Sequence, residues 1–384
     1  MPVNLPAPSP DALVHSAKLC ELIRQDIAAQ GGWIPFSRFM ELALYAPGLG
    51  YYTAGAHKFG EEGDFITAPE LSSLFGRTMA RQLVEVMQAS SPHILELGAG
   101  SGRLALDILT ELESLCALPK SYSILEVSAD LRQRQQALIR GKLPHLADRL
   151  YWLDALPEQI SGAVIGNEVL DALPVHLLHW TKDKVHEVGV ANKNHRFVWQ
   201  DKSLETPALH DIIEKIRVPN DYISEVSLTA RGLVASLCER MSKGALLFVD
   251  YGFGTKEYYH PQRNRGTLMC HYRHHSHDDP FYLPGLQDIT AHVDFTAVAE
   301  AAIDSGAHFL GYTTQANFLL NNGMADFLGE VSPDNVKAYA PLSAQLQKLT
   351  SPAEMGELFK VIALGIKLDQ PLAGFLRGDL SRLL

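Results

Sequence analysis

Three glycines fall on alternate residues of the run Glu96-Leu97-Gly98-Ala99-Gly100-Ser101-Gly102. The apolar residues 93–97 before them read as a short buried strand, and residues 104–115 after them as a helix. Glycine in such a turn permits positive φ and lets the backbone approach a ligand closely. The helix start adds unpaired N–H groups and the positive end of its dipole, which suits a carboxylate or a phosphate. A dinucleotide turn is spaced G-x-G-x-x-G. Its third glycine would fall at position 103, which is Arg103, so a nicotinamide-dependent dehydrogenase is disfavoured. A carboxylate at the tip of the next strand can accept hydrogen bonds from both ribose hydroxyls of an adenosyl group. Glu126 stands there, at the end of the strand expected over 121–127. With Glu96 before the turn, this pattern points to S-adenosylmethionine. The plainer alternative is a tight turn flanked by surface acids.

The same reasoning extends to the neighbouring strand ends. Asp154 and Ala155 follow a third strand, 150–153, where Asp154 can meet the exocyclic amine of adenine; the competing role is a helix cap. Asn167 and Glu168 follow a fourth, 163–166, the place for polar groups beside a transferred methyl. The expected cofactor contacts are Asp64, Thr67, Glu96, Gly98, Gly100, Gly102, Glu126, Val127, Asp154, Ala155 and Asn167.

These positions need a scaffold. From Pro92 onward short apolar strands alternate with helices (130–141 among them), the mark of a parallel sheet with helices on both faces. The expected fold is therefore α/β, Rossmann-like. Before it lie helices over 11–30 and 35–44 and a Gly- and Tyr-rich stretch, 45–63. Within it, residues 175–200 switch to hairpins, helices follow near 208–216 and 228–241, and an apolar strand covers 245–250. Residues 252–288 read as a polar, His-rich loop. The end alternates through a helix at 294–305, a strand near 308–313, helices at 315–349 and a last strand at 359–367. The expected division is 1–62 as an N-terminal extension and 63–384 as the catalytic domain, with insertions about 175–240 and 253–350.

Composition narrows the setting. Formal net charge is −11, against a protein built to grip nucleic acid and in favour of a basic partner. Cys20, Cys116, Cys238 and Cys270 are scattered, so neither a disulfide framework nor a zinc site is expected, and a cytoplasmic, reducing setting is. The start shows neither a secretory pattern nor an Arg-rich transit pattern. No apolar run reaches the roughly 18 residues needed to span a bilayer. The spacing of His271, His274, His275 and His277, with Asp278 and Asp279, matches no standard ligand motif, so a lid or substrate loop is expected there rather than a metal.

Longer strings carry a more specific signal. They are Gly63-Asp64-Phe65-Ile66-Thr67-Ala68-Pro69-Glu70; Asn167-Glu168-Val169-Leu170-Asp171-Ala172-Leu173-Pro174-Val175; Val249-Asp250-Tyr251-Gly252; Gln287-Asp288-Ile289-Thr290-Ala291-His292-Val293-Asp294-Phe295; and Met355-Gly356-Glu357-Leu358-Phe359-Lys360. With the glycine turn they span nearly the whole chain. The sequence resembles the MidA family of S-adenosylmethionine-dependent methyltransferases, whose animal relatives are mitochondrial complex I assembly factors. It departs from the family at Ala99, often proline, and near Ser73, often a polar residue such as glutamine. The resemblance implies a class I methyltransferase fold and, in the mitochondrial relatives, symmetric dimethylation of an arginine on a complex I subunit.

A guanidinium is always protonated in water and needs carboxylates to orient it. Glu168 and Asp171, with Asn167, are the expected catalytic residues; Asp64 and Glu70 are further candidate acids, and Asp288, His292 and Asp294 can face the substrate. Asp171-Ala172-Leu173-Pro174 can equally just turn the chain. Fold does not fix the acceptor, so a small molecule or another protein nucleophile stays open, as does a non-catalytic cofactor-binding assembly factor. A homodimer is compatible with the sequence.

Overall fold

The computed structural model describes residues 5–55 and 67–384. The chain divides into two compact units. The first comprises Met1–Phe65, Asp171–Gly232 and Thr255–His292; the second comprises Ile66–Leu170, Leu233–Gly254 and Val293–Leu384.

The second unit is built on one twisted sheet. Its strands are β1 (His93–Leu97), β2 (Ser121–Leu125), β3 (Leu150–Leu153), β4 (Ile160–Asn167), β5 (Met241–Phe253), β6 (His308–Thr314) and β7 (Phe359–Ile366). Their spatial order is β3-β2-β1-β4-β5-β7-β6, with Val293–Asp294 added alongside the end of β5. β1 to β5 pair in parallel; β7 runs antiparallel between β5 and β6. The order counts away from β1 in both directions, so the sheet reverses between β1 and β4. In open α/β sheets ligands bind at that reversal, beyond the carboxyl ends of the strands. The antiparallel β7 in sixth place departs from the 3-2-1-4-5-6 order of the dinucleotide fold.

Local sequence explains the helices of this unit. α1 (Ser73–Ala89) starts where the Ser72 hydroxyl accepts from the Leu74 N–H at 3.2 Å. α2 (Arg103–Ser114) begins at Gly102, whose φ is +87°. α3 (Ala129–Lys142) is capped by the Ser128 hydroxyl and buries Leu131, Gln135 and Ile139, one stripe at i, i+4, i+8. The core joins Leu74, Phe75, Ile108, Leu109, Ile124, Ile165, Leu247, Phe318 and Val361.

The first unit holds a five-stranded antiparallel sheet. Val185–Lys193 pairs with Trp33–Pro35, His176–Trp180 and Arg196–Ser203, and Tyr222–Val226 pairs with His176–Trp180. The helix Pro10–Ala29 buries Leu19, Ile23 and Ile27 and ends at Gly31 and Gly32, both at positive φ. Its core includes Phe36, Phe39, Val188, Val190 and Ile289.

Three expectations change. Residues 252–288 are not a plain loop: Met269–Tyr272, His275–His277 and Asp288–Thr290 form a three-stranded sheet, with a tight turn at Arg273 and His274, both at positive φ. Short polar strands pair by backbone hydrogen bonds, which leave no hydrophobic period to read. The second insertion stops at His292 rather than about 350, because β6 and β7 complete the large sheet beside β5. The Tyr222–Val226 strand and most of α1 had no counterpart in the sequence reading.

Two tests follow from this scaffold. Gly162 lies on β4 opposite Gly244 on β5, with φ +100°, and a Cβ there would stand 2.1 Å from the His93 carbonyl oxygen. Gly162→Ala should lose about 3 kcal/mol or more of unfolding free energy in denaturant titration. Glu96, on β1, is 1% exposed and accepts from the Tyr122 hydroxyl at 2.8 Å. Burial pushes its carboxyl up to about 8; the Tyr122 hydrogen bond opposes this and the Glu126 charge adds to it. The native state then holds a proton that the unfolded chain releases near the ordinary carboxylate value of 4.5. Stability from this group is full below that value and falls as pH rises toward about 8. Glu96→Gln should flatten the melting temperature across that window and gain on the wild type at its alkaline end.

Candidate functional site

The carboxyl ends of β2, β1 and β4 lie side by side, with Leu97 paired to Leu125 on one flank and to Gly166 on the other. The glycine turn therefore sits at the sheet reversal. Gly98, Gly100 and Gly102 have φ of +59°, +53° and +87°, conformations that L side chains rarely adopt. The Gly98 N–H donates to the Leu125 carbonyl at 3.0 Å, tying the turn to β2.

Glu126 follows directly. Its side chain is 4% exposed; Oε1 accepts from the Ser128 N–H at 2.9 Å and Oε2 from Gln135 Nε2 at 2.9 Å. The same Nε2 donates to the Gly100 carbonyl at 2.8 Å. Trp152 Nε1, from β3, donates to Gln135 Oε1 at 3.0 Å. Arg132 Nη2 donates to the Glu126 and Leu153 carbonyls and pairs with Asp154 Oδ1 at 2.7 Å. Asp154 and Ala155 are exposed, as is Val127, so the rim beyond Glu126 is open. Glu96 lies beneath the turn with Tyr122 as its described partner.

Asn167 and Glu168 close the β4 end. Glu168 takes φ +52°, and its N–H donates to the Val249 carbonyl at 2.9 Å. Asn167 Nδ2 donates to Glu168 Oε1 at 3.0 Å, while Asn167 Oδ1 is buried without a hydrogen-bond partner among the described residues. Asp250, fully buried on β5, accepts from the Val169 and Leu170 N–H groups at 3.2 and 2.8 Å and so holds the turn after Glu168. Positive φ in a non-glycine residue is costly, and such strain gathers at functional positions.

The second unit thus assembles Gly98, Gly100, Gly102, Glu126, Val127, Asp154, Ala155, Asn167 and Glu168 around one reversal. Thr67 is buried and precedes the short helix Ala68–Leu71, whose Glu70 accepts from the Ser101 hydroxyl of the glycine turn. Asp64 lies outside the described residues. Asp171 belongs to the first unit, where its side chain is buried and its carbonyl accepts from the Ala291 N–H at 3.0 Å. Asp288, also in that unit, accepts from the Tyr52 hydroxyl, and Asp294 caps the helix Phe295–Asp304.

Gln135, Arg132, Trp152 and Tyr122 escaped the sequence reading. One signal for Gln135 was present: it occupies a stripe position between Leu131 and Ile139 that should be apolar. The others come from separate strands and helices and meet only in three dimensions. The four cysteines are free, and no helix among the described residues is long and apolar enough to cross a membrane.

Comparison with known proteins agrees with this geometry. A family model described as S-adenosyl-L-methionine-dependent methyltransferase matches residues 78–313. The chain is similar to Protein arginine methyltransferase NDUFAF7 homolog, mitochondrial, of Drosophila melanogaster, with 32% identity over 97% of this chain and 92% of the relative. It is similar to the Danio rerio Protein arginine methyltransferase NDUFAF7, mitochondrial, with 31% identity over 86% of this chain and 82% of the relative. A crystal structure from Burkholderia thailandensis, bound to S-adenosyl-homocysteine, superposes with a TM-score of 0.96 and 48% identity over 99% of this chain and 100% of that one. The switch-point turn, the carboxylate beside it and these likenesses agree: the chain belongs to the MidA family of class I methyltransferases, enzymes that use S-adenosylmethionine.

Proposed function

We propose that this methyltransferase acts on an arginine side chain of a protein substrate, with Glu168 and Asn167 as the groups that receive the guanidinium. The observation that carries this reading is the strained β4 end. Glu168 holds positive φ at the sheet reversal, and Asn167 Oδ1 is a buried acceptor without a partner among the described residues. A carboxylate oxygen and an amide oxygen on adjacent residues suit the forked N–H donors of arginine. The printed names of the curated relatives, protein arginine methyltransferases, support the same acceptor.

The residues present fit the cofactor. A side chain at Gly98 or Gly100 would meet unfavourable backbone, and that bare turn lets the donor approach. A carboxylate offers about four lone-pair sites, so Glu126 is proposed to accept from the ribose hydroxyls alongside its bonds from Ser128 and Gln135. Val127 and Asp154 lie exposed on the adenine side in this reading, and Thr67, Asp64, Glu96 and Ala155 remain proposed contacts. When bound, S-adenosylmethionine supplies an electrophilic methyl on a sulfonium. The protein's part is to aim the nucleophile and exclude water. Glu168 orients one guanidinium nitrogen, offsets the cation's charge and can take the proton released after transfer. Asp171 is proposed as a support for the substrate side of the same segment. The free cysteines support a reducing compartment, whether cytoplasmic or, as in the named relatives, mitochondrial.

Calorimetric titration with S-adenosylmethionine and S-adenosylhomocysteine tests the cofactor contacts. Glu126→Ala should weaken both by roughly a hundredfold, since two hydrogen bonds to a charged group are lost. Unchanged affinity would move the ribose elsewhere. Radiolabelled methyl transfer to arginine-rich and lysine-rich peptides tests the acceptor. Label should enter the arginine peptide alone, and Glu168→Gln should cut turnover about a hundredfold with cofactor affinity retained. Labelling of lysine, or full activity of the variant, would rule out the arginine reading.

A further inference from the structure

The cofactor site draws on three separate loops: the glycine turn after β1, the carboxylate after β2 and the rim after β3. Each follows a different strand, so nothing in the sheet ladder alone holds their functional atoms at fixed separation. One side chain touches the first two and the strand that leads into the third. Gln135, fully buried on α3, donates from Nε2 to the Gly100 carbonyl and to Glu126 Oε2, and accepts at Oε1 from the Trp152 indole. The indole is donor-only, so it fixes which end of the amide faces the turn. A second feature depends on the same residue. A Cβ at Gly102 would meet Gln135 Cα, Cγ and Cβ at 3.2–3.3 Å, so the third glycine makes room for Gln135.

We propose that Gln135 is a positioning residue of the methyl-donor site: one buried amide that locks the glycine turn to the Glu126 carboxylate so that both meet the adenosyl group in register. The inference rests on Glu126 as the ribose acceptor. Without the amide, the Gly100 carbonyl and Glu126 Oε2 each lose a donor in a buried setting, where a polar group left unpaired is costly. Glu126 would then turn toward whatever donor remains, away from the ribose.

The charged and titratable groups around the amide are few. They are Glu126 itself, Glu96 on β1 with its partner Tyr122 on β2, Arg132 on α3 with its partner Asp154, and Arg140 over the Trp152 ring. Among them Arg132 already donates to Glu126, through Nη2 to its carbonyl oxygen.

The test is titration with S-adenosylhomocysteine of wild type, Gln135→Leu, Gln135→Glu, Trp152→Phe and Glu126→Ala, from about pH 6 to about pH 9, with melting temperatures of the ligand-free proteins. Gln135→Leu keeps the volume and removes both donors; affinity should fall at least about tenfold. Trp152→Phe keeps both donors but lets the amide flip, so a loss of only about threefold is expected. Gln135→Glu keeps the acceptor for Trp152 but sets an oxygen against Glu126. Its binding, relative to wild type, should be weakest at alkaline pH and recover toward acid, where a proton shared by the two carboxyls restores a donor. A merely structural amide would not produce that recovery. Gln135→Leu affinity within about twofold of wild type, or a Gln135→Glu deficit that is flat with pH, would overturn the proposal. Glu126→Ala separates the two claims. If it binds as wild type does, the ribose reading fails; if it loses binding while the Gln135 variants keep theirs, only the positioning role fails.

Discussion

The reversal of strand order between β1 and β4 is the constraint from which the rest of the site follows. Neighbouring parallel strands whose connections depart in opposite directions leave a crevice at their carboxyl ends. The central groups proposed for the cofactor and the acceptor stand on those ends: the glycine turn on β1, Glu126 on β2, Asp154 beyond β3, Asn167 and Glu168 on β4. Chain connectivity uses the same place. The chain passes from the second unit to the first after Leu170, just past β4, and again after Gly254, just past β5. Insertions at the working end of a sheet leave its hydrogen-bonded ladder untouched, so the core tolerates them.

Polar groups near the crevice are handled by full pairing rather than by exposure. Glu126, Gln135 and Asp250 are almost completely buried, and the side chain of each has two or more hydrogen-bond partners. In a low-dielectric interior such networks are rigid because breaking any one bond leaves a costly orphan. Glu96 is the contrasting case: burial outweighs the hydrogen bond from the Tyr122 hydroxyl and pushes its carboxyl up to about 8. Asn167 Oδ1 differs from these three groups, being a buried acceptor without a hydrogen-bond partner among the described residues.

What was legible in the sequence was local. The strands at 93–97 and 150–153 and the helices after the glycine turn and after Glu126 follow from runs of apolar residues and from caps, both of which are short-range. The His-rich segment was misjudged because its three short strands have no hydrophobic period; their order comes from ladder bonds between residues far apart, such as Met269 with Thr290. The second insertion was drawn too long for a related reason. β6 and β7 look alike whether they close a separate domain or finish the large sheet, and only the pairing of β7 with β5, and of β6 with β7, decides.

By itself, the sequence determined the chemistry available: bare glycine backbone at a helix start, a carboxylate one strand away, and an asparagine–glutamate pair after another. Residue identity and short-range spacing carry that information, because turn conformation and helix capping are decided within a few residues. Only the tertiary structure decided that these pieces meet, that Gln135 binds two of them together, that Arg132 takes Asp154, and that Asp171 is counted with the other unit. The hydrogen bonds and ion pair among them join residues 9 to 35 positions apart. They exist only once sheet order and helix packing have brought the segments into hydrogen-bonding distance, so no local pattern could have contained them.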